Sequence, residues 1–119
     1  MNHNQELGAA GEELAANFLL AAGYTVLERN WRCDLGELDI VARHAGQLVG
    51  VEVKTRTSLG FGHPAESVNA AKLRRLSRLI RCWSRTHGYS GQPVRVDVLA
   101  ILAPPGGEPL IEHLIGVES

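Results

Sequence analysis

The sequence predicts an α/β protein, a mixed sheet of about five strands flanked by helices in the order α-β-β-β-α-β-β. Two observations carry that expectation. Apolar residues recur at spacings of three and four in two stretches, near residues 5–22 and 69–87, which is the period of an amphipathic helix. Between and after them lie segments of period two bounded by Gly, Pro and Asn, which read as strands and turns.

The first stretch runs from Gln5 to Ala22, with Leu7, Ala10, Leu14, Phe18 and Ala21 as its apolar stripe and Gly23 as its stop. Glu6, Glu13 and Asn17 share a polar stripe, whereas Glu12 lies apart from it, beside Ala15 and Leu19. Tyr24 to Arg29 reads as a strand and Asn30 to Leu35 as a short extended or turning segment. From Glu37 to Arg43 the pattern alternates, with Leu38, Ile40 and Ala42 on one face and Glu37, Asp39, Val41 and Arg43 on the other. Ala45-Gly46 suits a tight hairpin turn. In the run Gln47 to Thr55, Val49, Val51, Val53 and Thr55 share a face opposite Leu48, Gly50, Glu52 and Lys54. A loop follows from Thr57 to Pro64, where Phe61 between two glycines could form a flap. The second helix begins near Asn69 and ends before Gly88, with Leu73, Leu76, Ile80 and Trp83 as its core stripe and Arg74, Arg78, Arg81 and Arg85 as a separate stripe. Strands from Val94 to Leu102 and from Leu110 to Val117 complete the order.

A chain of 119 residues fits one domain spanning 1–119, large enough to bury a modest core. No apolar run reaches the ~20 residues that span a membrane. The polar start, Met1 to Glu6, reads as no signal peptide, and Cys33 and Cys82 read as lone reduced thiols, so the expected location is the cytoplasm. The five histidines are scattered without zinc-ligand spacing. Net charge is -1, but its distribution is uneven: residues 54–85 hold eight bases against the single acid Glu66. A basic middle after an acidic front suggests an anionic ligand held near carboxylates, or else a solvated helix face.

The chemistry concentrates in Gly36-Glu37-Leu38-Asp39-Ile40 and Val51-Glu52-Val53-Lys54-Thr55-Arg56. If Ala45-Gly46 is a two-residue loop, His44 pairs with Gln47, and counting back sets Asp39 opposite Glu52 and Glu37 opposite Lys54. All four then share one face, with opposed Cβ atoms roughly 5 Å apart. Two such carboxylates repel unless a cation lies between them, and an oxygen-only donor set suits Mg²⁺ or Mn²⁺. A lysine alongside can orient or help deprotonate a water. Together these are the parts for in-line hydrolysis of a phosphodiester. The plain alternative is a surface ladder of alternating charges.

The segments GEELAANFLLAAGYTVLERNWRCDLGELDIVAR, VEVKTRTSLGFG and VRVDVLAI resemble the YraN-like family of bacterial proteins. That family is similar to the restriction-endonuclease-like superfamily with its PD-(D/E)xK site, and to Holliday-junction resolvases in particular. The resemblance covers about Glu6 to Ile101. It implies Asp39 and Glu52 as metal ligands, Lys54 as the catalytic lysine and Glu12 as an extra catalytic carboxylate. Arg56 and Lys72 resemble positions where relatives keep bases, and they are expected to contact phosphate. Arg74 and Arg78 could line a duplex, and Glu37 stands behind the ligands. Gly50 and Val96 stand where the family usually has a bulky apolar residue and Phe. Arg95 and Asp97 are expected to be structural, paired with each other's neighbours across the sheet, and Trp31 and Trp83 to be core.

The function expected is a metal-dependent DNA nuclease, selective for branched DNA. The rival is a module of the same fold that binds nucleic acid or protein and cuts nothing. A four-way junction would call for a homodimer, since two symmetric cuts need two sites, and the apolar final strand offers one surface for it.

Overall fold

The structure, a computed structural model, describes residues 3–58 and 68–118, with side chains of the first helix from Leu7 onward. The elements are α1 (His3–Ala21), β1 (Thr25–Cys33), β2 (Gly36–His44), β3 (Gln47–Arg56), α2 (Ala70–Thr86), β4 (Val94–Leu102) and β5 (Leu110–Leu114). The α-β-β-β-α-β-β order and the five-stranded sheet match the expectation. The flap around Phe61 and most of the expected loop to Pro64 lie outside the described residues.

The strands lie in the order β1-β2-β3-β4-β5. β3 and β4 are parallel and the other neighbours antiparallel. A parallel pair needs a crossover, and α2 lies in the connection between β3 and β4. Two cores result, one on each face. Ala15, Ala16 and Leu19 of α1 close over Ile40, Ala42, Val49, Val51, Leu99 and Ile101. On the other face, Leu73, Leu76, Leu79, Ile80 and Trp83 of α2 close over Leu38, Val41, Leu48, Val96 and Val98. Each fully buried Leu, Ile or Val contributes roughly 1.5–3 kcal/mol relative to exposure.

Local signals explain most element ends. Asn69 caps α2, its side chain accepting from Lys72 N–H at 2.9 Å. Ala45 (φ 52) and Gly46 (φ 76) both take the left-handed turn conformation, and His44 pairs with Gln47 as the count required.

Four expectations about the elements need correction. The buried stripe of α1 is Gly11, Ala15, Ala16 and Leu19, while Ala10 and Ala21 are exposed and Leu14 and Phe18 only partly buried. Small residues decide this, since a Cβ on Gly11 would collide with Thr55 Oγ1, so the helix packs by closeness of approach rather than by its most apolar line. Second, β1 does not stop at Arg29 but runs to Cys33, paired with Gly36 across a two-residue turn. A bulge between Val26 and Glu28 and the left-handed Asn30 (φ 55) let the polar stretch stay in the sheet. Third, Leu38 does not share a face with Ile40 and Ala42; it packs on the α2 side, so alternation breaks around Asp39. Fourth, β5 ends at Leu114. Gly116 has φ 64, and its N–H goes to Asp97 while Val117 N–H goes to Val96 O.

Arg95 and Asp97 pair with each other, not with each other's neighbours. Asp97 is fully buried and accepts from Arg95 Nε at 2.9 Å, Arg95 Nη2 at 3.1 Å, Tyr24 OH at 2.7 Å and Gly116 N–H at 3.0 Å, with His113 Nε2 at 2.8 Å. Burial alone would raise its pKa, but these hydrogen bonds outweigh burial and hold it below the usual carboxylate range. The network ties the start of β1 to β4 and β5. Trp83 is buried as expected, whereas Trp31 is half-buried.

Gly50 sits on the α2 face, where a Cβ would stand 3.1 Å from Ile80 Cβ and 3.2 Å from Leu38 Cδ2. The missing side chain is therefore filled by the neighbours. Gly50→Val is expected to cost about 1–3 kcal/mol in urea unfolding. The double variant Gly50→Val/Ile80→Ala should lose less than the sum of the two single changes, because the second makes room for the first.

Candidate active site

Pairing between β2 and β3 keeps its register through Ile40–Val51, the last pair of that ladder. Beyond it β3 stays paired with β4 as far as Arg56–Leu102. The Val53 N–H is taken by the Asp39 side chain, with Oδ2 accepting at 2.8 Å. A carboxylate thus replaces strand backbone where the two strands part, and its neighbour on β3 is Glu52.

Asp39 and Glu52 are brought together. Their carboxyl groups are hydrogen-bonded to one another, and Asp39 is pushed up to about 7, first by burial and then by the charge of Glu52. On the α2 side, Lys72 Nζ lies 3.4 Å from Glu52 Oε1. A cavity of about 230 Å³ opens here, lined by Glu37, Asp39, Glu52, Lys72, Arg75, Leu76 and Leu79. Lys54, two residues beyond Glu52, is half-buried, and its pKa is lowered by burial, then by Arg56 and Lys72, against the pull of Glu52 and Asp39.

Glu12 approaches from the other helix. Gly11 lets α1 settle on Thr55, which sets the next residue, half-buried, within electrostatic reach of Asp39. Its pKa is raised by burial and then by Asp39. With the Asn30 amide turned to present its nitrogen, that group donates to both Glu12 oxygens at 3.0 and 3.1 Å. A second cavity, of about 340 Å³, is lined by Leu7, Gly8, Glu12, Val53, Lys54, Thr55 and Arg56.

Other expected residues stand further off. Glu37 lines the smaller cavity but forms its ion pair with Arg32 at 3.2 Å. It has no place opposite Lys54 in the ladder, because β2 and β3 have already parted. Arg74 and Arg78 are exposed and line neither cavity. Arg75, outside the stripe read from the sequence, does line one. It follows Lys72 by three residues, which puts both on one side of α2; that spacing was the available signal. Asn30 could not have been found from the sequence, since its left-handed backbone is what turns it to Glu12.

Among the described residues no group of three or more His, Cys, Asp or Glu converges as a metal cage. The donor set is the Asp39–Glu52 pair. That fits Mg²⁺ or Mn²⁺, which takes one or two protein carboxylates and completes its shell with water and substrate oxygens. The raised proton affinity of Asp39 is the mark of a pair held together without full charge compensation.

This strain has a sign. An aspartate in an unfolded chain titrates near ~3.9, and Asp39 near 7 in the fold. Between those values the folded state holds an extra proton, so the Asp39 contribution to stability is fully present below ~4 and is lost as pH rises through 7. Asp39→Asn keeps an oxygen for the Val53 N–H and removes the charge. Without divalent ions the variant is expected to melt higher than the parent at pH 8, by about 4 °C for each kcal/mol relieved, with the difference shrinking toward pH 5. An equal or lower melting point at pH 8 would refute the charge conflict at this pair.

Comparison with known proteins bears on the whole of this region. The family model described as "Uncharacterised protein family UPF0102" matches residues 11–101. Relatives bearing the name UPF0102 protein include one from Clavibacter michiganensis subsp. michiganensis, 52% identical over 112 residues, covering 94% of this chain and 95% of the relative. One from Renibacterium salmoninarum is 50% identical over 112 residues, covering 94% and 95%. One from Beutenbergia cavernae is 50% identical over 117 residues, covering 98% and 99%. The matched span holds Glu12, Asp39, Glu52 and Lys54 together, and the chain belongs to the UPF0102 family, the YraN-like family that its sequence resembles.

Proposed function

We propose that the chain is a metal-dependent nuclease that hydrolyses DNA phosphodiester bonds, acting as one domain with its reaction centre at Asp39, Glu52 and Lys54. The observation that carries this reading is the hydrogen-bonded Asp39–Glu52 pair, with the half-buried Lys54 two residues along the same strand. A module that only bound a polyanion would gain nothing from two carboxylates pressed together beside it.

In this reading Asp39 and Glu52 hold Mg²⁺ or Mn²⁺. When bound, the ion supplies Lewis-acid neutralisation of charge developing on the phosphate and makes a nearby water more acidic. Lys54 orients that water; its lowered pKa brings its proton exchange nearer to neutrality. Glu12, fixed by Asn30, orients the water from the α1 side. Lys72, at 3.4 Å from Glu52, and Arg56 attract the phosphate backbone, and Arg74 and Arg78 extend that attraction along the exposed face of α2. Selectivity for branched DNA is part of the proposal. On a four-way junction the protein would act as a homodimer, for which β5, an edge strand that begins with exposed Leu110 and is followed by exposed Ile115, offers one surface. The place of action proposed is the cytoplasm; no helix among the described residues is long and apolar enough to cross a membrane.

Two measurements test the reading. Mn²⁺ at about ten times its dissociation constant should stabilise the parent by roughly 1.4 kcal/mol, and Asp39→Asn should abolish that shift. On single-stranded, duplex, flap and four-way DNA with Mg²⁺ or Mn²⁺, cleavage should appear and fall at least about a hundredfold in Lys54→Ala. Binding of DNA with no metal-induced shift and no cleavage on any substrate would instead favour a binding module that retains the fold.

A further inference from the structure

Arg75 is the cation of the carboxylate cavity that no acid among the described residues has claimed. Each acid lining that cavity is already engaged: Glu37 with Arg32 at 3.2 Å, Glu52 with Lys72 at 3.4 Å, and Asp39 with the Val53 N–H at 2.8 Å and with Glu52. No ion pair of Arg75 occurs among the described residues. Its stem is nevertheless placed. A Cβ built on Gly36 would stand 3.5 Å from Arg75 Cδ and 3.6 Å from Leu79 Cδ1, so the arginine runs over the bare backbone of the β1–β2 turn. Gly36 has φ 138, a conformation open to glycine and strained for other residues. The arginine stem thus lies against that turn, at the edge of the cavity it lines.

We infer that Arg75 grips a backbone phosphate of the nucleic acid at the carboxylate pair. An unclaimed guanidinium offers a planar fork of donors that matches two phosphate oxygens at once, which a lysine cannot do. It also offsets the acidic charge that would otherwise repel a polyanion from Asp39 and Glu52. Arg74, one residue earlier, points about 100° away around the helix and lies outside the cavity, so the two arginines do not share this task. The inference rests on the nuclease reading for its substrate but not for its test.

The test is fluorescence anisotropy with a labelled 20-base-pair DNA duplex in EDTA, on the parent and on Arg75→Ala, Arg75→Lys and Arg43→Ala, each shown to be folded by its melting curve. Arg43, at the far end of β2, controls for loss of one positive charge. Arg75→Ala should weaken binding about tenfold and lower the log–log salt slope by about 0.9, the value for one lost phosphate contact. Arg75→Lys should restore the slope but only part of the affinity, and Arg43→Ala should stay within about twofold. Equal losses in Arg75→Ala and Arg43→Ala, an unchanged slope in Arg75→Ala, or no binding by the parent would overturn the inference. Cleavage in Mn²⁺ separates the two readings. A parent that binds through Arg75 yet never cuts removes the nuclease and leaves the grip; a parent that cuts, with Arg75→Ala unchanged in slope and rate, removes the grip and leaves the nuclease.

Discussion

β3 has a strand on either side and a helix over each face, and the rest of the molecule is arranged around that confinement. A strand so enclosed reads as a continuous apolar run, and the first half of β3, with Leu48, Val49, Gly50 and Val51 all buried, obeys. Its second half carries Glu52, Lys54 and Arg56, which such a position does not tolerate unless the partners withdraw. β2 withdraws after Ile40–Val51. In the gap that opens, the Glu52 side chain is only 13% exposed and meets Asp39 and Lys72. Charged groups are thus concentrated at a place where the sheet's own hydrogen bonding lapses.

Glycines set the distances across that gap. Gly11 brings α1 onto Thr55, and Gly50 brings Ile80 of α2 down onto the sheet. Each is a place where one methyl group would press on an element that presents a charged side chain to the centre. Since interiors are packed to near-crystalline density, such a shift cannot be absorbed locally and would be passed to Glu12, Glu52 or Arg75.

The strands on either side of β3 treat buried charge differently. On β4, Asp97 is surrounded by donors from Arg95, Tyr24 and Gly116, with His113 beside it, and its pKa is depressed. On β2, Asp39 has one backbone donor and a like-charged neighbour, and its pKa is raised. The first arrangement satisfies a carboxylate and fixes structure; the second leaves it in want of a cation and suits chemistry. Both residues sit in polar-apolar alternations of the same kind, so the difference lies in their neighbours, not in the residues.

The sequence by itself determined the element order, the register of the β2–β3 hairpin and the meeting of Asp39 with Glu52, because period-two patterning and a two-residue Ala45-Gly46 turn leave one way to count. It also determined the buried face of α2, whose Leu73, Leu76, Ile80 and Trp83 recur at helical spacing. Only the tertiary structure decided the rest. The packing line of α1 followed from which small residues could approach Thr55, a matter of fit that hydropathy does not encode. The continuation of β1 through Glu28, Arg29 and Asn30 depended on a bulge and one left-handed residue, which turned a turn-like stretch into strand and aimed Asn30 at Glu12. Whether Arg74 or Arg75 lined the carboxylate cavity was settled by the rotation of α2 about its axis, and that rotation was fixed by packing against the sheet, because adjacent residues on a helix differ by about 100° in direction.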